Sequence, residues 1–193
     1  MPEVIETGES FRENAQLKSE TAVEWSALPS LADDSGMCVV ALNGFPGIQT
    51  KRFALNRGGW TNGMAEINRR LCQQTDHRAT YHCAFSLSCM VDGGEIQFRH
   101  RTGAQLRSIV VEAIIPGTIV WPARGTGYAF DAIFRPDGSE QTYAEMSDSN
   151  RENSNHRFRA FQLLLQALSE LPEGDALRTL APLLQAREES GSI

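Results

Sequence analysis

The sequence predicts an α/β fold with a mixed sheet, and three observations carry that prediction. A chain of 193 residues with 41% hydrophobic and 22% charged residues lies in the ordinary globular range and suffices for one sizeable core. Amphipathic helical periodicity marks both ends of the chain. Between them, β-branched runs follow one another as a meander, and a meander inside a helix-bearing chain points to strands of mixed direction.

The elements follow in order. Ser10-Phe11-Arg12-Glu13 has the form of a capping box and opens a helix from about Phe11 to Trp25, with Ala15, Leu17, Ala22 and Trp25 as its apolar positions. Leu28-Pro29 breaks it, Leu31-Ala32 enters an Asp33-Asp34-Ser35-Gly36 turn, and Met37 to Leu42 is an apolar run of buried-strand character. The loop Asn43 to Gly47 precedes two helical stretches, Lys51 to Leu55 and Asn62 to Leu71. Ala79 to Val91 alternates as a long strand, Asp92-Gly93-Gly94 supplies hairpin chemistry, and Glu95 to Arg101 returns. Ser108 to Ile115 is a further strand that Pro116-Gly117 turns into Thr118 to Trp121. Pro122 to Ser139 is Gly-rich and aromatic, Tyr143 to Asn155 is polar, and Phe158 to Leu168 is a strongly amphipathic helix ended by Pro172 and Gly174. A last helix, Asp175 to Glu188, completes one domain over residues 1–193, with 172–193 as a helical appendage.

Charge and composition exclude several classes. A formal net charge of −6 opposes tight binding along a nucleic-acid backbone, which needs clustered cations. No apolar run approaches the roughly 20 residues that span a bilayer, and Met1-Pro2-Glu3-Val4-Ile5-Glu6 lacks a basic region followed by an apolar segment. The expectation is a cytoplasmic protein with neither nucleic acid nor membrane as partner. Cys38, Cys72, Cys83 and Cys89 match no zinc or redox spacing and are expected to be buried free thiols. Lys18 and Lys51 are the only lysines, which marks each for a specific task unless the bias toward arginine is compositional.

The acidic segment carries the clearest chemistry. Adjacent carboxylates on a strand point to opposite faces, but a Ser-Gly turn can bring Asp33 and Asp34 to one cavity, one for a hard cation and one for a water. Cleavage of a phosphoanhydride needs both. A solvated turn is the equally weighted alternative, as a cap is for Glu13. Gly125 to Asp131 lets backbone approach a ligand beside aromatic faces, although loop packing explains such residues as readily. Asn155-His156-Arg157 opens a helix whose amides and cations suit an anion or a carbonyl-rich base, with capping as the alternative.

Taken together and in this order, these segments resemble the inosine triphosphate pyrophosphatase family. The resemblance rests on Phe11-Arg12-Glu13-Asn14-Ala15-Gln16-Leu17-Lys18, Leu31 to Gly36, Pro46-Gly47-Ile48, Gly127 to Phe134, the run from Phe134 to Met146, and Asn155-His156-Arg157, and covers about residues 7–170. It implies Mg²⁺-dependent hydrolysis of inosine- and xanthosine-type nucleoside triphosphates to monophosphate and pyrophosphate. It further implies that Glu13 and Asp33 serve the metal, that Asp34 activates water, and that Lys18 meets phosphate. Tyr128 and Phe130 would flank the base while Asp131, Arg151, His156 and Arg157 read its edge. A 6-keto group accepts hydrogen bonds where an amino group donates them, so cationic donors discriminate between the two. An elongated, two-lobed domain with a curved sheet and a central cleft, assembled as a homodimer, is the implied architecture.

The sequence departs from the family pattern at Ala129 for Gly, Ala132 for Pro, Arg151 for Lys and Asn155 for Ser, with an insertion around Arg101 to Val110 and a tail beyond Leu171. The family's first strand and its Thr-Gly-Asn-x-x-Lys phosphate loop have no counterpart before Thr7-Gly8, which leaves Lys18, Lys51, Arg52 or a partner subunit to grip phosphate. A catalytically impaired nucleotide-binding or interaction module is the reading kept beside the enzyme.

Overall fold

Helix α1 runs over Phe11–Ser26 in the computed structural model, which describes residues 4–100 and 102–189. Ser10 is extended and its hydroxyl accepts from the Glu13 amide at 3.2 Å, satisfying one of the amide donors that a helix start leaves open. Ala27, left-handed at φ 57°, ends the helix by donating to the Val23 carbonyl. The buried stripe is Phe11, Asn14, Ala15, Ser19 and Val23, and the expected apolar position Trp25 is 61% exposed.

Strand β1 spans Ser30–Val39 and so takes in the whole acidic segment expected as a turn. Pairing with a neighbouring strand overrides the weak strand propensity of Asp-Asp-Ser-Gly. The apolar residues Val40–Leu42, expected to extend the strand, form a 3-10 turn instead. Helices α2 (Thr50–Asn56) and α3 (Trp60–Leu71) follow, then β2 (Arg78–Asp92), β3 (Glu95–Gln97), β4 (Gln105–Ile119) and β5 (Phe134–Pro136). The polar stretch before the amphipathic helix holds α4 (Asp148–Ser154), and α5 is His156–Ser169. The expected last helix divides into a 3-10 turn, Leu177–Leu180, and α6, Ala181–Glu189. Met1, Pro2, Glu3, Arg101 and residues 190–193, which include the ends of the expected return strand and appendage, lie outside the described residues.

The class is α/β as expected. The sheet runs in the order β1-β2-β4-β5 with β3 on β2. It is open and antiparallel in its registered pairs, where the meander had suggested mixed directions. Asp92 faces Glu95 across Gly93-Gly94, and a two-residue loop permits only reversal. Pro116-Gly117, expected as a turn, lies inside β4. Its Pro116 carbonyl accepts from the Asp137 amide at 3.0 Å, and Gly117 faces Pro136 so closely that a Cβ would sit 2.5 Å from the Arg135 oxygen.

The chain forms two compact units, Met1–Asp34 with Ala84–Glu112 and Ala160–Ile193, and Ser35–Cys83 with Ala113–Arg159. In the first, Phe85 meets Phe161 edge-on at 6.1 Å, and the Ser19 hydroxyl joins Ser86 and Ser88, each at 2.7 Å, fixing α1 on β2. In the second, Met37, Val39, Phe53, Ile67, Leu71, Tyr81, Phe130, Phe134 and Tyr143 share one apolar core. None of the four cysteines is in a disulfide; Cys83 and Cys89 are buried, Cys38 is intermediate and Cys72 is exposed, against the expectation for that residue. Among the described residues no helix is long and apolar enough to cross a membrane.

Candidate functional site

In the first unit, the site is built where α1 faces β1. Asn14 and Lys18 are one helical turn apart and so share a face. Lys18 Nζ donates to Asp34 Oδ1 at 2.6 Å, to the Asp33 carbonyl at 3.2 Å and contacts Glu6 Oε1 at 2.8 Å. These acceptors occupy the three donors of an ammonium. The lysine therefore grips the Asp34 carboxylate itself. Asn14, 1% exposed, donates to Asp34 Oδ2 at 3.4 Å and accepts the Gly8 amide at 2.9 Å.

Asp34 is 6% exposed. Burial raises its pKa; the Lys18 ammonium opposes, the Glu6 charge adds, and the net direction is upward. For Lys18, burial pulls down, but the carboxylates of Asp34 and Glu6 outweigh it and the net direction is also upward. Burial thus favours the protonated acid at Asp34, and the ammonium beside it offsets that preference only in part.

The other two expected carboxylates are placed differently. Because β1 continues through Ser35-Gly36, alternation sends the Asp33 and Asp34 side chains to opposite faces. Glu13 is exposed and its Oε2 accepts the Glu9 amide at 2.6 Å, one residue before the Ser10 cap. Among the described residues no three His, Cys, Asp or Glu side chains converge to hold an ion. The donor chemistry still fits Mg²⁺, which binds oxygen and is ordinarily held through one or two carboxylates completed by substrate phosphates.

In the second unit, the loop before β5 gathers the expected base-recognition residues. Gly125, at φ 76°, backs onto the Ala144 carbonyl so tightly that a Cβ would clash with it, and Gly127 leaves only 2.9 Å between an added Cβ and that of Asp131. These approaches fold the loop so that the Asp131 carbonyl takes the Ala144 amide. Tyr81 donates from its hydroxyl to Asp131 Oδ1 at 3.4 Å. Burial raises the Asp131 pKa, and Arg151, Tyr81 and Arg157 only partly oppose it. Arg151 is also paired with Asp148 at 2.8 Å, and Arg157 is exposed.

His156 is 7% exposed, and its ring lies flat on Tyr81, 4.6 Å between centroids and 5° between planes. Burial first, then the charges of Arg157 and His82, push its pKa down to about 3. The imidazole is therefore neutral, where a cation had been expected. Among the described residues its Nδ1 is the buried side-chain polar atom with no hydrogen-bond partner. The amide of Phe158 is already capped by Asn155 Oδ1 at 2.8 Å, so that helix start spends a donor on its own cap.

The aromatic residues separate. Phe130, in the turn before β5, is fully buried between Phe53 and Trp60. Tyr128 is 64% exposed, and its partner at 5.7 Å is Trp60. Lys51 and Arg52 are exposed at the start of α2.

The Ham1 family's sequence pattern matches residues 1–167. The chain belongs to the Ham1 family. Ham1-family relatives include the dITP/XTP pyrophosphatase of Rhodopseudomonas palustris, 35% identical over 177 residues that cover 86% of this chain and 79% of the relative. The dITP/XTP pyrophosphatase of Caulobacter vibrioides is 36% identical over 169 residues, 87% of this chain and 81% of the relative. Among solved structures, the Staphylococcus aureus Ham1 protein superposes with a TM-score of 0.73 at 32% identity, covering 87% of this chain and 80% of that one.

Sequence reasoning missed Glu6, Asn14, Trp60 and Tyr81. Helical spacing was a usable signal for Asn14, four residues before Lys18. Glu6 lies in irregular chain, and the hydroxyl of a strand tyrosine carries no local signature.

Proposed function

We propose that this Ham1-family chain is a nucleoside triphosphate pyrophosphatase acting on inosine- and xanthosine-type triphosphates. The observation that carries the reading is the buried Asp34 carboxylate held at 2.6 Å by Lys18. Asp34 accepts the proton of a water as its oxygen bonds to phosphorus at the α–β bridge; the bridging P–O bond breaks, leaving monophosphate and pyrophosphate. Lys18 keeps Asp34 ionised and oriented, a role that its donor inventory supports better than direct phosphate contact. Asp33 and Glu13 are the carboxylates proposed for Mg²⁺, together with the triphosphate. The ion supplies charge neutralisation at phosphate oxygens. Lys51 and Arg52 remain the proposed phosphate cations.

Base recognition is assigned to Asp131, Arg151, His156 and Arg157. An ionised Asp131 accepts only, which suits the N1–H of a 6-keto purine and disfavours the N1 lone pair of adenine. The unpartnered Nδ1 of His156 supports a role toward the base edge. The stacking role passes from the buried Phe130 to Trp60 beside Tyr128. A homodimer in the cytoplasm is kept as part of the proposal on the resemblance.

The test is pyrophosphate release from inosine, xanthosine and adenosine triphosphates with Mg²⁺, for the wild type and Asp34→Asn. The wild type should favour the first two, and the variant should lose about 10²- to 10⁴-fold, the range for removing a general base, with unchanged affinity for inosine triphosphate. Activity should fall on acidification at a pH above the ordinary aspartate range, because Asp34 must be ionised and its pKa is raised. No wild-type turnover on any triphosphate would reject the proposal in favour of a binding module.

A further inference from the structure

We infer that Tyr81 is a positioning residue for base recognition, holding Asp131 through its hydroxyl and the His156 ring through its face; this rests on the base-edge roles proposed above. Tyr81 is carried by β2 and is 3% exposed. Three contacts fix its ring. Phe134 meets it edge-on at 4.5 Å, Tyr143 lies at 6.0 Å, and His156 stacks on it at 4.6 Å with 5° between planes. Tyr143 is itself anchored by its hydroxyl on the Ser154 carbonyl at 3.1 Å, so the stack is tied to the end of α4.

The hydroxyl serves a separate purpose from the ring. It donates to one carboxylate oxygen of Asp131 at 3.4 Å, and burial, with the Asp131 charge, keeps the phenol protonated and therefore a donor. With Oδ1 held by Tyr81 and the Tyr128 backbone also bonded to the carboxylate, the carboxylate has a defined plane in which to accept from a base. The ring meanwhile fills one face of the imidazole and so sets the direction of its edge, which carries the buried Nδ1 that has no hydrogen-bond partner among the described residues. One side chain thereby sets both an acceptor and an imidazole edge, the complementary pair that a 6-keto purine with a protonated N1 requires and an adenine does not.

Two variants of the full chain separate hydroxyl from ring. Tyr81→Phe retains the stack and removes the donor; Tyr81→Leu removes both. The ratio of kcat/KM for inosine triphosphate to that for adenosine triphosphate should fall about three- to tenfold in Tyr81→Phe, the size of one net hydrogen bond. The change should lie in KM for inosine triphosphate, with kcat preserved, and Tyr81→Leu should lose more. The ring-proton resonances of His156 should keep their upfield ring-current shift in Tyr81→Phe and lose it in Tyr81→Leu.

An unchanged ratio in Tyr81→Phe would overturn the inference. So would an equal loss on both triphosphates that tracks a fall in Tm, which marks a merely structural tyrosine, or His156 resonances indifferent to Tyr81→Leu. If the wild type hydrolyses no triphosphate, the pyrophosphatase reading fails by itself. Equilibrium dialysis of inosine against adenosine triphosphate on the same three proteins, with the His156 resonances, then decides the role of Tyr81: retained discrimination in Tyr81→Phe would overturn it.

Discussion

His156 shows how a single side chain ties stability to pH. Its folded pKa, about 3, lies below the ordinary histidine value of roughly 6.5. Between those values the unfolded chain binds a proton that the folded chain refuses, so stability rises with pH across the window and is lost as pH falls from about 6.5 toward 3. The slope from this one group is up to about 1.4 kcal/mol per pH unit. Urea unfolding of the wild type and of His156→Gln at pH 4, 5, 6 and 7 measures it. The variant should show a shallower loss on acidification, and parallel curves would refute the assignment. Asp34 runs with the opposite sign: its raised folded pKa makes the folded state gain a proton before the unfolded one, so its contribution weakens as pH rises through that range. Sequence exposed His156 as a candidate but not its charge state, which burial among Tyr81 and its neighbours determines.

At the scale of elements, the loop from Gly125 to Asp131 depends on backbone conformations that its sequence only partly provides for. Gly125 takes φ 76° without strain, but Ala129 stands at φ 52°, where a Cβ costs roughly 1–2 kcal/mol. Glycine there loses more chain entropy on folding, so Ala129→Gly should raise stability by about 1 kcal/mol or less, seen as a higher urea midpoint at constant slope. A lower midpoint would show that the alanine methyl is earning more in packing than the strain removes. In α1 the cap and the extent of the helix were legible because they are local, whereas its buried stripe, which takes in Asn14 and Ser19 and leaves Trp25 exposed, follows from what packs against it. In β1 it failed, because Asp33-Asp34-Ser35-Gly36 has the composition of a turn and becomes a strand only through its pairing in the sheet. The same physical reason put Pro116-Gly117 inside β4: close approach to β5, a long-range relation, overrode local turn chemistry.

For the molecule as a whole, the proposed chemistry requires a hard cation that the protein does not cage by itself, since among the described residues no three metal-binding side chains converge. Turnover should therefore disappear on chelation with EDTA and return with excess Mg²⁺, while the unfolding midpoint without nucleotide should shift little. A large destabilisation by EDTA alone would instead indicate a preformed site that contributes folding energy. The net charge of −6 makes the same demand from another direction, since a polyanionic substrate approaches an acidic chain best with its charge partly neutralised.

The sequence by itself determined the α/β class, the cap of the first helix, the presence of the amphipathic fifth helix, and the order of motifs that places this chain in its family, because each of these is written in residues near one another. Tertiary structure decided what the acidic and aromatic residues face. Lys18 turns to Asp34 because Glu6, Asp33 and Asp34 bring three acceptors to its three donors. Phe130 goes to the core while Trp60 stays beside Tyr128, and Tyr81 meets partners 50 and 75 residues away along the chain. Charge state, donor assignment and ring contact depend on burial and on distant neighbours, and those exist only once the chain has folded.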